Sequence, residues 1–183
     1  MSFHFPLAAA DKPGYDLPQV DAFIANARAQ YADSNLEVVT SNELRNTEFD
    51  LVHGGYEISA VDTAMDRLED AFSSREIQRQ KQLRGDAAVI DRLARISEIV
   101  NGRLIRPKGK KFSSVGYLLR GYDRKQVDQL CNQVAEHLAS KTPLQLNTVR
   151  RAIFKAKRGG YVESQVDAFI DRVVEILQIE KNL

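Results

Sequence analysis

Cysteine is almost absent: Cys131 stands alone in 183 residues, so no internal disulfide can hold the chain together. Tryptophan is missing altogether, and proline occurs five times. No apolar run approaches the roughly 18–20 residues that cross a bilayer, and residues 1–10 lack the basic start and long apolar stretch of a secretion signal. The expectation is a cytoplasmic protein. The histidines, His4, His53 and His137, are scattered, and Cys131 has no histidine near it in sequence, so the donor spacing of a metal site is lacking. Gly109 and Lys110 have no earlier glycine at P-loop spacing and are followed by Lys111, and neither a dinucleotide fingerprint nor a nucleophile elbow is present. No enzymatic activity, cofactor or metal is expected.

What is present is an ordinary globular composition, 43% hydrophobic and 28% charged, in a chain long enough for one domain or two small ones. The net charge of +1 hides a division. Up to Gly102 there are 10 basic and 17 acidic residues, and after it 16 and 8, so the two parts carry −7 and +8.

The chain also repeats itself. Gly14-Tyr15, Gly55-Tyr56, Gly121-Tyr122 and Gly160-Tyr161 are each followed, five residues after the tyrosine, by Val-Asp: Val20-Asp21, Val61-Asp62, Val127-Asp128 and Val166-Asp167. The glycines are 41, 66 and 39 positions apart, so copies one and two resemble copies three and four as pairs. A phenylalanine precedes each glycine, nine residues ahead in the odd copies (Phe5, Phe112) and six ahead in the even ones (Phe49, Phe154).

Glycine before the tyrosine suits a chain reversal that needs positive φ or a close backbone approach, and the acidic residue after it is placed to start a helix. Asp16 with Gln19 and Asp123 with Gln126 have capping-box spacing. Copy four has Val162 at the cap position, and its helix should begin less sharply. Apolar residues then recur at helical intervals: Val20, Phe23, Ile24, Ala27, Tyr31; Val61, Met65, Leu68, Phe72; Val127, Leu130, Val134, Leu138; and Val166, Phe169, Ile170, Val173, Leu177. The last stripe is the widest and predicts the most enclosed helix. The repeated aspartates fall in or near the first turn, where the helix dipole favours a carboxylate. Ahead of the even copies, residues 41–49 and 148–157 read as short helices. Residues 73–100 read as helix with a break at Gly85, after which Asp86 can cap; the stretch 75–84 is polar almost all round and reads as a solvated bridge. The predicted fold is all-α, with tandem helix-turn-helix units in two pairs: 1–72 the first pair, 73–111 a helical connector and basic linker, and 112–183 the second pair.

These residues resemble the DivIVA domain, the membrane-associated head of bacterial division and polar-growth scaffolds. The likeness is closest in the even copies, where Leu44, Phe49, Gly55, Tyr56, Val61 and Val149, Phe154, Gly160, Tyr161, Val166 fill the motif. The resemblance implies a scaffold or adaptor in cell division or polar growth, acting through other proteins at the septum or pole. It also implies an aromatic-basic pair just before Gly-Tyr that enters the membrane. At those two positions the copies carry Lys12-Pro13, His53-Gly54, Leu119-Arg120 and Arg158-Gly159, so only Leu119 and Arg120 pair an apolar tip with a cation. The sustained heptads of the family's coiled coils are not found.

Two basic stretches stand out, Arg103, Arg106, Lys108, Lys110 and Lys111 before copy three, and Arg150, Arg151, Lys155, Lys157 and Arg158 before copy four. They read either as a surface for anionic lipid beside Leu119 or as a solvated face that balances the acidic first half. Nucleic acid is less favoured, because aromatic residues are not interleaved with the cations. The opposite charges of the two parts also leave room for head-to-tail self-association.

Overall fold

A computed structural model describes residues 5–32 and 39–183; His4 lies outside them. The described chain is mostly helical. In order it runs β1 (Pro13–Tyr15), α1 (Leu17–Ala32), α2 (Ser41–Arg45), β2 (Leu51–His53), α3 (Ile58–Arg84), α4 (Asp86–Leu104), β3 (Arg120–Tyr122), α5 (Arg124–Leu138), α6 (Leu146–Arg150), β4 (Ala156–Arg158) and α7 (Glu163–Asn182). It divides into two compact units, residues 1–76 and 77–183. Residues 77–111, expected as connector and linker, therefore belong to the second unit.

In the first unit β1 and β2 pair antiparallel, Gly14 opposite Val52, and α1 and α3 follow the two Gly-Tyr segments. Val20, Ile24, Tyr56 and Val61 form one cluster, with Phe5, Tyr15 and Phe49 against it. Ala27, Leu44 and Phe72 form a second, through which α2 is seated.

In the second unit β3 and β4 pair antiparallel, Gly121 opposite Lys157, and α5 and α7 follow their Gly-Tyr segments. The core is larger. It joins Val127, Leu130 and Val134 of α5 to Val166, Phe169 and Val173 of α7, and adds Val100 and Leu104 of α4. The widest stripe does give a deeply enclosed helix, with eight residues of α7 buried.

The four short strands were not expected. Three residues are too few to show a two-residue alternation, and the pairing that makes each a strand comes from a distant segment. The predicted short helices are correspondingly shorter: residues 46–50 follow α2 as a connection, and the span read as helix 148–157 divides into α6 and β4. The break at Gly85 is present, with φ +79°, but Asp86 makes no cap; Gly85 itself takes the cap position without a side-chain bond. Upstream of it the bridge reading fails at several residues: Arg75 donates to the Tyr31 carbonyl at 2.7 Å, and Glu76 accepts from the Ser41 N–H and hydroxyl at 2.8 and 2.7 Å. Ile77 is buried against Val89 and Ile179, and Lys81 donates from Nζ to the carbonyl of Asn182 at 2.8 Å.

The capping boxes also differ from expectation. Asp16 accepts from the Gln19 amide at 3.0 Å and Asp123 from Lys125 at 2.9 Å, yet neither glutamine returns to its own cap. Gln19 reaches Asp50 instead, donating to Oδ2 at 2.6 Å and accepting from its backbone N–H at 2.9 Å, and Gln126 accepts from Lys155 N–H at 2.7 Å. The reciprocal box forms at Thr40 and Glu43, ahead of α2. Val162 makes no side-chain cap, as its apolar character predicts.

Candidate functional site

In each unit the two Gly-Tyr segments lie against one another. Tyr15 and Tyr56 exchange backbone bonds, N–H to carbonyl at 2.9 and 2.8 Å, and Tyr122 and Tyr161 do the same at 3.0 and 2.9 Å. The crossing is too close for a side chain on the glycines. A Cβ on Gly14 would stand 2.5 Å from the Tyr56 carbonyl oxygen and one on Gly55 2.5 Å from that of Tyr15; Gly121 and Gly160 face Tyr161 and Gly121 oxygens just as tightly. Their role is close approach; the positive φ values belong to Gly54 and Gly159, one residue earlier in the even segments.

Side chains are exchanged across the crossing as well. Phe5 packs edge-on against Tyr56 and Phe49 against Tyr15, at 5.3 and 5.5 Å between ring centres. Phe112 meets Tyr161 and Phe154 meets Tyr122, both at 5.2 Å. Each phenylalanine thus serves the tyrosine of the other segment.

The aspartates behave likewise. Tyr15 donates to Asp62 at 3.1 Å, Tyr56 to Asp21 at 3.1 Å, and Tyr161 to Asp128 at 2.9 Å, while Tyr122 bonds Asp167. These residues lie beyond the first turn of their helices, so the helix-dipole role expected for them gives way to a phenol–carboxylate bond. The repeated Val-Asp, six residues after Tyr at the aspartate, was the available signal. Burial, then the neighbouring carboxylate, raises the pKa of Tyr15, Tyr56 and Tyr122, and burial pushes Tyr161 to about 12. Burial also pushes the Cys131 thiol up to about 12, which leaves it protonated and unreactive at neutral pH.

The two basic stretches do not form one uniform cationic face. Lys111 is buried, its Nζ donating to the carbonyls of Leu104 at 2.5 Å and Arg106 at 3.2 Å, so it closes the C-terminal end of α4. Arg103 is half-buried, lies 5.2 Å over the Phe112 ring and donates to the Lys111 carbonyl at 3.2 Å; Arg106 donates to the same oxygen. Lys157 pairs with Asp123 at 3.2 Å. Lys108, Lys110, Arg151, Lys155 and Arg158 are exposed, and Arg150 is half-buried.

The loop before β3 was only partly legible. Leu119 is 63% exposed, but Tyr117 and Leu118, which were not singled out, are more so, at 84% and 81%. A turn closed by Leu119 N–H on the Gly116 carbonyl at 2.8 Å holds the three apolar side chains consecutively outward. Arg120 and Arg158 stand opposite each other at the adjoining end of the β3–β4 ladder. This is an apolar tip bordered by two guanidinium groups.

Among the described residues no group of three or more His, Cys, Asp or Glu side chains could hold a metal ion, and no helix is long and apolar enough to cross a membrane. No family model matches the chain, and neither a curated protein nor a solved structure does.

Proposed function

We propose that the protein is a non-enzymatic adaptor, four DivIVA-like units arranged as two pairs, that serves bacterial cell division or polar growth by binding other proteins at the septum or pole. One observation carries this reading: each tyrosine is completed by a phenylalanine and an aspartate of the opposite segment in the same unit. Contacts that two single-unit chains would make between them are made inside one chain, which leaves the outer helix faces for partners. A fluorescent fusion in dividing cells tests the role; enrichment at septa or poles is expected, and a uniform signal refutes it. Sedimentation at micromolar concentration tests the internal pairing, for which a monomer is expected.

A second reading is favoured by the Tyr117-Leu118-Leu119 tip: peripheral attachment to an anionic membrane, the apolar residues entering the lipid and Arg120 and Arg158 meeting headgroups. Near-surface cations contribute about 1 kcal/mol each in such settings. Flotation with phosphatidylglycerol-containing vesicles decides it. Binding lost in both Leu119→Asp and Arg120→Glu supports the membrane reading, and no binding at physiological salt leaves the adaptor alone. Duplex DNA binding with a steep salt slope would point instead to phosphate-driven recognition.

A further inference from the structure

Between Glu98 and Asp123 the chain carries six basic residues and no acidic one. Two of the six, Arg103 at the end of α4 and Arg106 in the loop after it, converge on one point: a terminal nitrogen of each donates to the Lys111 carbonyl, at 3.2 and 3.5 Å. A third guanidinium joins them from another element. Arg103 lies over the Phe112 ring, Phe112 packs edge-on against Phe169 of α7 at 5.4 Å between ring centres, and Arg172 stands one turn beyond Phe169 on the same side of that helix. Burial, then the charges of Arg106 and Arg172, lowers the pKa of Arg103, so both neighbours lie within its electrostatic reach.

The protein does not neutralise this group of charges. Among the described residues no carboxylate pairs with Arg103, Arg106 or Arg172; Glu175, one turn beyond Arg172, is held by Arg92. Each of the three arginines spends a single terminal nitrogen on a backbone carbonyl, that of Arg172 on Ala168 at 3.3 Å, and a guanidinium has five N–H donors. The helix dipole accounts for cations at the C-terminal end of α4, where the inward-turned Lys111 already meets the carbonyls. It does not account for Arg172, which lies in the middle of α7.

The arrangement selects the charge and the shape of what would answer it. A phosphomonoester carries close to two negative charges at neutral pH and three acceptor oxygens, and the planar fork of arginine matches such oxygens two at a time. A carboxylate or a phosphodiester brings one charge to the same three cations. Arg106 and Arg172 are exposed, so the group opens on a surface, where a free metabolite would not be enclosed as small-molecule sites require. A phosphate carried by a protein needs no enclosure. Ile99, one turn before Arg103, and Ile105 are 55% and 83% exposed and offer apolar surface to the residues that flank it.

We propose that Arg103, Arg106 and Arg172 form a site for a phosphomonoester dianion, presented by a phosphorylated serine or threonine of a partner protein. The identity of the carrier rests on the adaptor reading, and makes capture of the partner conditional on its phosphorylation.

The probe is a fluorescein-labelled peptide, Gly-Ile-pSer-Ile-Gly, titrated into the full-length protein by anisotropy at physiological salt. It is expected to bind with a dissociation constant on the order of 100 µM, and its unphosphorylated form at least about tenfold more weakly. Arg106→Gln and Arg172→Gln should each weaken the phosphopeptide about tenfold, whereas Arg84→Gln, which removes the same charge before the opposite end of α4, should leave it unchanged. Circular-dichroism melts establish that the variants fold, and Arg172→Gln gives the test without touching the loop after α4. Equal binding of the two peptides, equal weakening by Arg84→Gln, or no binding at millimolar concentration would overturn the proposal. Inorganic phosphate that displaces the probe at the probe's own dissociation constant would overturn the partner assignment in favour of a free anion. Phosphatidylglycerol vesicles that outcompete the probe, and whose binding is lost in Arg106→Gln and Arg172→Gln, would overturn it in favour of a lipid headgroup. Localisation of the fusion reads the adaptor role separately: septal enrichment without peptide binding sinks the site alone, and peptide binding with a uniform signal sinks the division role alone.

Discussion

The hydroxyl of Tyr161 lies 2.9 Å from Oδ1 of Asp128, and both residues are buried although 33 positions separate them. The other oxygen of Asp128 accepts the Gly109 N–H at 2.6 Å, so this carboxylate ties the β4–α7 segment to the loop after α4. Tyr161→Phe is expected to cost about 1–2 kcal/mol, and Asp128→Ala about 3 kcal/mol because it strands a buried hydroxyl and an amide together. Asp62→Ala, which removes one half-buried bond, should cost less. Urea unfolding of the three variants checks the order; equal losses for Asp128 and Asp62 would contradict it.

Alkali should unfold the protein through the same tyrosines. Their folded pKa values are raised above the ordinary 10, that of Tyr161 to about 12, because burial disfavours the phenolate. The unfolded chain therefore loses these protons first. Their contribution is full below pH 10 and disappears as pH rises through the raised folded values, about 12 for Tyr161. Denaturation midpoints measured across that window should fall, and the fall should shrink in Tyr161→Phe.

Not all glycines should respond alike to alanine. At Gly85, where φ is +79° and ψ 165° and nothing would meet the new Cβ within 4 Å, the loss should be about 1–3 kcal/mol from backbone strain alone. At Gly121 the Cβ would meet the Tyr161 carbonyl oxygen, so the two segments must separate, and a loss above about 4 kcal/mol is expected. Thermal melts of the two variants decide between these outcomes.

The limits of the second unit can be tested by truncation. A fragment of residues 77–183 keeps Ile77, Val89, Val100 and Leu104 and should fold cooperatively. A fragment of residues 112–183 loses all four from the clusters they help to form and should not. Circular-dichroism melts of the two fragments make the comparison.

Local pattern made much of this fold visible. The stripes headed by Val20, Val61, Val127 and Val166 supply twelve of the 25 buried apolar residues among those described, because helical periodicity records which face is covered. It does not record by what. Gln19 and Gln126 fit a capping box by spacing, but their amides lie across the crossing from distant backbone groups that compete successfully for them. Lys111 belongs to a cationic run in sequence, yet it sits where unpaired carbonyls at the end of α4 draw an ammonium group inward.

The crossed exchange of Phe5 with Tyr56 and Phe49 with Tyr15 also bears on how the chain comes off the ribosome. A nascent segment ending after α1 holds one partner of each of these two ring contacts and of the bonds Tyr15–Asp62 and Tyr56–Asp21, and completes none of the four. Structure in the first unit must wait until Tyr56 and Asp62 have cleared the exit tunnel, and then closes on both sides at once.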